Sequence, residues 1–288
     1  MLVSTRANGK STIIPVSPST DKIAGTILLK ALLMKIYVCV KHVPDSAATI
    51  TVKKGTEIEE AITFLINPYD EHALTEACRL KKMLPRAEVI AVCFSRPEAE
   101  GTLRSALAMG ADRGLLVTTR HRHDAIMTAR VLNKAIARDG QPDLILTGKE
   151  SIDSEGMQTM FRLAHLFNMP AATNVVKIET GDGAALVTCE KEAGVREKLK
   201  LEMPCVLAAG KDLNTPRYPT FPDIVKSRKK EIKTIEFEKL NLPEPTSRVE
   251  MVGLAPAMEK RHPKEITGTT KSIAEQLVTI LKDDARVI

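Results

Sequence analysis

The segment Gly148-Lys149-Glu150-Ser151-Ile152-Asp153-Ser154-Glu155-Gly156-Met157-Gln158-Thr159 decides the predicted fold of this 288-residue chain. It follows an apolar run, residues 144–147, that predicts a buried strand, and it precedes a helical pattern over residues 160–167. In open α/β sheets, a polar loop between a strand and a helix offers free backbone N–H groups and the positive end of the helix to a phosphate. The segment therefore predicts a nucleotide-phosphate site, with an ordinary capped loop as the alternative.

Strand and helix patterns alternate along the chain before this segment. Apolar runs predict strands at residues 36–40, 89–94 and 115–117, and helical spacing predicts helices at residues 68–84, 97–109 and 125–138. Such alternation predicts an α/β fold with a doubly wound, mainly parallel sheet and right-handed crossovers. The expected architecture is therefore a Rossmann-like, adenine-nucleotide-binding domain.

A doubly wound order makes the first and fourth predicted strands neighbours, at the point where the strand order reverses. Ligands of open α/β sheets bind beside the carboxyl ends of the strands at this point. We therefore expect residues 40–45 to face residues 148–159 across a cleft, with residues 94–96 as a third wall. This geometry suits an adenine nucleotide.

Composition excludes several other classes of function. Only 3% of the residues are aromatic and there is no Trp, which argues against a stacking surface for single-stranded nucleic acid. The net charge is +6, and part of it lies in residues 226–233. That basic run predicts a solvated helix face or a docking surface for an acidic partner. We expect no nucleic-acid partner and no direct insertion into a membrane.

No pattern predicts a catalytic or metal site. The five cysteines form no C-x-x-C pair, which indicates a reducing compartment. His121 and His123 are close in sequence but lack companion ligands for a metal. The chain also lacks the G-x-S-x-G and H-E-x-x-H motifs. The sequence thus predicts a nucleotide-binding protein without catalytic residues of its own.

The two ends of the chain differ from its middle. Residues 1–33 are rich in Ser and Thr, which predicts either a transit peptide or a start codon placed too far upstream; we favour a true start at Met34, directly before the first strand. After four further β patterns over residues 174–209 come a Pro-punctuated loop (residues 213–222), the basic run (residues 226–233) and a Pro-rich arm. The predicted organisation is a leader (1–33), an α/β nucleotide-binding domain (34–209), and a recognition loop, basic helix and C-terminal arm (210–288).

Several motifs resemble, in order, those of the electron transfer flavoprotein β subunit. They are Val38-Cys39-Val40-Lys41-His42-Val43-Pro44-Asp45, Asn67-Pro68-Tyr69-Asp70-Glu71, Ala106-Leu107-Ala108-Met109-Gly110, the Gly148-Lys149 loop, and Leu213-Asn214 with Pro216-Arg217-Tyr218. The blocks extend over about residues 34–288, and the leader has no counterpart. The resemblance implies a non-enzymatic electron carrier that forms a heterodimer with a larger α subunit. FAD, held mostly by that subunit, would carry electrons from flavoprotein dehydrogenases, such as the acyl-CoA dehydrogenases of fatty acid β-oxidation, to a quinone-linked oxidoreductase.

The resemblance also assigns roles to individual residues. Tyr69 and Ser46 match positions beside the flavin. An AMP site is matched by Val40, Asn67, Phe94, Ser151, Ser154, Met157, Gln158 and Thr159. The surface that meets the partner dehydrogenase is matched by Leu213, Pro216, Arg217, Tyr218, Lys226, Lys229 and Lys230, with Leu213 as its anchor.

Some alternatives stay open at this stage. Relatives that bifurcate electrons hold a second FAD where others hold AMP, and their loop differs from residues 154–161 here, which favours AMP. The turn at residues 192–197 also departs from the family pattern. A stand-alone adenine-nucleotide-binding α/β protein is the rival from another class, but the apolar loop and the coreless arm favour a second chain. We expect a bacterial cytoplasmic protein, or a mitochondrial matrix protein only if residues 1–33 are a transit peptide.

Overall fold

The structure, a computed structural model, describes residues 34–53, 55, 57–58, 62–84, 86–242, 252–255 and 263–288. They divide into two compact units. The first unit comprises the described residues up to 50 and from 62 to 242, and the second comprises those within 51–59 and 252–288. The predicted leader, residues 1–33, lies outside the described residues.

The strands are β1 (Lys35–Cys39), β2 (His42–Pro44), β3 (Val52–Lys53), β4 (Glu57–Ile58), β5 (Phe64–Ile66), β6 (Glu88–Ser95), β7 (Arg113–Thr118), β8 (Leu144–Gly148), β9 (Ala171–Gly181), β10 (Ala184–Glu190), β11 (Arg196–Glu202), β12 (Cys205–Ala209) and β13 (Ile232–Glu236). The helices are α1 (Pro68–Met83), α2 (Glu100–Met109), α3 (Ala125–Asp139), α4 (Thr159–Phe167), α5 (Phe221–Ser227) and α6 (Thr270–Thr279).

A nine-stranded sheet in the order β11-β10-β9-β12-β8-β1-β6-β7-β13 forms the first unit. The strands from β9 through β12 to β13 pair in parallel, whereas β9, β10 and β11 form an antiparallel extension at one edge. β1 pairs with β8 on one side and with β6 on the other, so the strand order reverses there. The doubly wound, mainly parallel fold and the predicted neighbours at the reversal are both confirmed.

Helices cover both faces of the sheet. Alternate residues of β1 point to opposite faces, so Ile36 and Val38 pack in the core beneath α1 and α2, whereas Tyr37 packs in the core beneath α3 and α4. Because both faces are covered, the central strands are buried on both sides. This burial explains why they are continuous apolar runs in the sequence rather than alternating ones.

The basic run after the Pro-punctuated loop differs from its prediction as one lysine-rich helix. Helix α5 ends at Ser227, and residues 232–236 form β13, which pairs in parallel with β7. Arg104 of α2 donates to the carbonyls of Ser227 (3.0 Å) and Lys230 (2.7 Å), and so gives the carbonyls at and after the end of α5 a hydrogen-bond donor. Ile235 is buried in the core, and this burial favours the strand over a longer helix. The sheet thus extends past residue 209, into the segment predicted to form the loop, helix and arm.

The second unit contains a hairpin and a helix. β3 and β4 pair antiparallel around Gly55, whose φ of +70° favours glycine. The Leu254 N–H donates to the Gly55 carbonyl at 2.6 Å. Helix α6 begins after the Thr269 cap and leaves Leu277 and Val278 exposed. Among the helices of the described ranges, none has both the length and the apolarity needed to cross a bilayer.

We predict that Gly148→Ala destabilises the isolated chain by about 1–3 kcal/mol, the range for overpacking a close contact. A Cβ at this position would lie 2.5 Å from Asp70 Oδ1 and 2.6 Å from Tyr69 Cβ, so α1 would have to move away from the end of β8. Gly156→Ala is the matched control, because nothing lies within 4 Å of its Cβ position. Urea unfolding of the three proteins measures the effect, and equal stabilities for both variants would contradict it.

Candidate functional site

A buried carboxylate, Asp70, joins the two strands at the reversal point. Its Oδ2 accepts a hydrogen bond from the Lys41 N–H just after β1, and its Oδ1 accepts one from the Gly148 N–H at the end of β8, both at 2.8 Å. Asp70 stands in the first turn of α1, where the helix N-terminus favours a negative charge. Burial raises the pKa of Asp70 to about 7, although these hydrogen bonds and the Lys41 charge act to lower it.

Asn67 holds the same two loops from the position before α1. Its side-chain Nδ2 donates to the Glu150 carbonyl at 2.8 Å, and its Oδ1 accepts from the Ile152 N–H at 3.1 Å. Its backbone N–H donates to the Lys41 carbonyl at 3.0 Å. Asn67 is buried, so it fixes the start of the loop after β8 as a rigid element.

The Lys41 side chain crosses to the loop predicted to bind phosphate. Its Nζ donates to Asp153 Oδ1 (2.7 Å), Ser151 Oγ (3.1 Å) and Ser154 Oγ (3.2 Å). The two serine hydroxyls lie 2.8 Å apart. Burial opposes ionisation of Asp153, but the Lys41 charge outweighs burial and holds the pKa of Asp153 below its ordinary value. One ammonium and two hydroxyls therefore converge on one point of the loop.

The end of this loop turns into α4 through two residues in the left-handed region. Glu155 has φ +46° and Met157 has φ +49°, a conformation that non-glycine residues seldom adopt. Thr159 is the first residue of α4, and the side chain of Gln158 before it makes no capping hydrogen bond. The Gln158 side chain therefore leaves the first N–H groups of α4 without an acceptor. An anion site at the start of a helix requires such free N–H groups.

Phe94 lies at the same carboxyl edge, at the end of β6, in a cluster of rings. Its ring centroid is 5.2 Å from that of His123 and 5.9 Å from that of Phe237, and the His123 and Phe237 centroids are 5.0 Å apart. Burial, with a smaller contribution from His121, lowers the pKa of His123. Phe94 is thus part of a rigid apolar wall beside the end of β1, where Val40 is buried and its N–H donates to the Val92 carbonyl.

The two residues assigned to the flavin lie on different elements, Tyr69 next to Asp70 in α1 and Ser46 in the turn after β2. Tyr69 is half-buried in the first turn of α1, and the Lys149 ammonium lies 5.2 Å from its ring centroid. Ser46 is exposed in the turn after β2, where Asp45 Oδ1 accepts from the Ala47 N–H at 2.9 Å. Both positions are open enough for a second molecule to contact them.

The Pro-punctuated loop is fixed at its base and exposed at its tip. Leu213 is half-buried against the core, and the neighbouring Asn214 donates from Nδ2 to the His72 carbonyl (3.0 Å) and to the buried Glu76 Oε2 (3.2 Å). By contrast, Tyr218 and Phe221 are each 77% exposed. Leu213 was expected on the loop surface, but the structure packs it inward because Asn214 pulls this part of the loop onto α1.

The basic residues predicted to meet the partner differ in their exposure and in their hydrogen bonds. Lys226 and Lys229 are exposed. Lys230 instead donates from Nζ to the carbonyls of Leu107 (2.9 Å) and Ala111 (2.6 Å), and so occupies acceptors at the end of α2. Arg217 is tied to Asp223 Oδ2 at 2.9 Å, and Pro216 beside it is partly buried.

All five cysteines are free thiols, and four of them are buried. Burial raises the pKa of Cys93 to about 12, so its thiol stays protonated at neutral pH. Among the described side chains, no group of three or more His, Cys, Asp and Glu residues could hold a metal ion.

Sequence reasoning placed Lys41 in one wall of the cleft but gave it no role, and it missed the function of Asp70. The sequence did contain a signal for both residues. Lys41 is the first polar residue after β1, and Asp70 stands three positions after the Asn67 that begins α1. A carboxylate at that spacing is typical of a first-turn residue that accepts from backbone N–H groups.

Comparisons with known proteins support a single family. A family profile described as "Electron transfer flavoprotein domain" matches residues 55–240. Proteins named electron transfer flavoprotein subunit beta are 32% identical over 260 residues in Bacillus subtilis and 36% identical over 260 residues in Bradyrhizobium diazoefficiens. The protein of Arabidopsis thaliana named as the mitochondrial beta subunit is 35% identical over 259 residues. Each match covers 88% of this chain and the full length of the relative.

We predict that Asp70→Asn destabilises the chain by about 1–3 kcal/mol, the cost of leaving a buried donor without an acceptor. The amide has one oxygen for the two N–H groups of Lys41 and Gly148, and its NH₂ would face the other donor. Urea unfolding measures the change, and stability equal to that of the wild type would contradict the role of Asp70.

The same pair of proteins tests the pH dependence. The pKa of Asp70 is about 7 in the folded chain, against 3.8 for an unperturbed carboxyl. Because the folded pKa is the higher one, the folded chain keeps a proton on Asp70 between pH 3.8 and about 7 that the unfolded chain releases, so the stability of the wild type falls as pH rises through this range. The stability difference between wild type and Asp70→Asn should therefore shrink between pH 4 and pH 7 and level off above it. A difference that grows over this range would show a lowered pKa.

Proposed function

The chain belongs to the electron transfer flavoprotein family as a β subunit, and we propose that it carries electrons from flavoprotein dehydrogenases, such as acyl-CoA dehydrogenases, to a quinone-linked oxidoreductase. FAD, held mainly by the α subunit of the heterodimer, would supply the redox chemistry when bound. The chain itself would bind and orient the cofactors and shield them from solvent, and it would catalyse no reaction of its own. We place it in the bacterial cytoplasm, or in the mitochondrial matrix if residues 1–33 act as a transit peptide.

This proposal rests on the polar groups that converge at the carboxyl ends of β1 and β8. The Lys41 ammonium, the Ser151 and Ser154 hydroxyls and the start of α4 lie around one loop, and Asn67 fixes that loop to the sheet. We propose that the phosphate of AMP binds there and takes the place of Asp153 at Lys41. The adenosine would lie along the carboxyl edge of the sheet, between Val40 and Phe94.

This nucleotide would be structural, because AMP has no redox chemistry. A ligand that binds only the folded chain stabilises it by mass action. The two left-handed residues, Glu155 and Met157, support this role, since a bound phosphate would compensate the conformational cost of the loop. A second FAD in place of AMP, as in a bifurcating complex, is the alternative that a cofactor count decides.

The flavin would contact this chain at Tyr69 and Ser46. Tyr69 is one residue from Asp70, so the element that shapes the nucleotide cleft would also position the aromatic ring beside the flavin. A half-buried ring with one cation above it suits contact with a planar, electron-accepting group. The two cofactors would thus share one support, the first turn of α1.

The partner dehydrogenase would meet the Pro-punctuated loop and α5. The exposed rings of Tyr218 and Phe221 and the exposed Lys226 and Lys229 belong to one segment of the chain, which would offer both apolar and basic groups to a partner. Leu213 and Pro216 would form the inner part of this surface, while Arg217 and Lys230 would shape it through their bonds to Asp223 and to the end of α2. Apolar anchors surrounded by charges are typical of transient docking sites.

The nucleotide assignment predicts that replacing Ser154 and Thr159 together by Glu expels the nucleotide. Two carboxylates would stand where the phosphate binds, and like charges repel. Acid release of the cofactors from the purified α–β heterodimer, followed by counting, should show one FAD with AMP lost and a lower melting temperature. Ser105→Glu, an exposed position on α2, is the matched control. If the wild-type heterodimer contains neither AMP nor a second FAD, the assignment is wrong.

The docking assignment predicts that Tyr218→Ala slows electron transfer from the dehydrogenase and leaves the FAD content unchanged. An anchor side chain contributes about 2 kcal/mol or more to binding, or roughly thirtyfold in affinity. Leu213→Ala should slow transfer as well, but it also removes a core contact, so Tyr218 is the cleaner position. Stopped-flow reduction of the heterodimer measures the rate, and unchanged kinetics in both variants would contradict the assignment.

A further inference from the structure

The groove between α3 and α4 is a cavity that adjoins the proposed nucleotide site, with which it shares Met157 and Gln158, and its other lining residues have no role in that site or in the partner surface. Its volume is about 560 Å³, which lies within the range of small-ligand sites. It is lined by Ile126, Arg130, Met157, Gln158, Phe161, Arg162, His165 and Leu166. The groove opens on the face of the sheet opposite to α1 and begins where the phosphate-binding loop ends.

The apolar side of the groove is unusually open to solvent. Phe161 is 48% exposed, Met157 is 43% exposed and Leu166 is 41% exposed. Three large apolar side chains within one concave site would be stabilised by a ligand that covers them. Phe161 also presents a ring face, against which a flat or chain-like apolar body can pack.

The polar side of the groove carries positive charge. Arg130, Arg162 and His165 line it, and none of the eight lining residues is acidic. Arg130 is exposed and enters no ion pair within the described part of the chain, and the buried Nε–H of Arg162 has no acceptor. A buried donor without an acceptor is destabilising, so an anionic group placed there would supply the missing acceptor.

We propose that this groove binds a small amphipathic anion, with an apolar or aromatic body against Phe161 and one anionic group at Arg130 and Arg162. The size of the site favours a small molecule over a partner segment. Helix α4 has nine residues and is therefore about 14 Å long, which matches a single ligand better than a docked helix. Because Gln158 accepts from Arg162 at 2.8 Å, a ligand here would contact the end of the phosphate-binding loop.

The test uses the assembled α–β heterodimer and a pair of fluorescent probes. One probe is 8-anilinonaphthalene-1-sulfonate, an aromatic anion, and the other is N-phenyl-1-naphthylamine, which has a similar body without the charge. We expect Arg130→Gln to weaken binding of the anionic probe about tenfold, as the loss of one charge-assisted hydrogen bond implies, and to leave the neutral probe unaffected. Phe161→Ala should weaken both probes. Arg86→Gln, an exposed residue beyond α1, is the matched control.

Two competitors then distinguish the sources of such an anion. Displacement by octanoate would indicate an acyl carboxylate, and displacement by 1-naphthoate would indicate an aryl carboxylate; either supports the proposal. The AMP content of the Arg130→Gln heterodimer should equal that of the wild type, which separates this site from the nucleotide cleft. The proposal is overturned if Arg130→Gln and Arg162→Gln both bind the anionic probe like the wild type. It is equally overturned if the probe binds the isolated chain but not the heterodimer, because a partner would then cover the groove.

Discussion

The structure depends on one buried carboxylate that accepts two backbone hydrogen bonds from two different strands. Asp70 stands at the start of α1 and holds the N–H groups that follow β1 and end β8. These are the two strands between which the sheet reverses its order. Parallel strands that lead into helices on opposite faces diverge at their carboxyl ends, and the resulting gap needs a polar support. Asp70 provides that support. Its raised pKa reflects the desolvation cost of burying the carboxylate.

Several other features follow from this constraint. Gly148 must be glycine because α1 approaches the end of β8 so closely that a side chain would meet Asp70 and Tyr69. Asn67 extends the same support to the loop after β8, and Lys41 carries a positive charge to the far side of that loop. The nucleotide cleft, the tyrosine beside the proposed flavin site and the start of α4 are thus positioned by one short segment, residues 67–70. The groove between α3 and α4 begins where the loop after β8 ends, at Met157 and Gln158.

The fold was predictable from the sequence because the spacing of apolar residues reflects which faces of the strands and helices are buried. The central strands are apolar throughout, since helices cover both faces of the sheet, and the pairing of β1 with β8 followed from connection rules alone. Long-range side-chain contacts were not predictable in this way. The sequence spacing gave no indication that Asn214 packs onto α1, that Lys230 caps α2, or that residues 232–236 leave the basic run to form β13. These features depend on tertiary contacts between segments more than 100 residues apart.

Amide hydrogen exchange of the α–β heterodimer, with and without its adenine nucleotide, tests the central claim most directly. In our proposal, the segment 67–70 and the loop after β8 form one support for a bound phosphate. Removing the nucleotide should therefore speed exchange at residues 151–160, while the N–H groups of Lys41 and Gly148 stay protected by Asp70. Exchange that does not change at residues 151–160, or rapid exchange at Lys41 and Gly148 in both states, would contradict it.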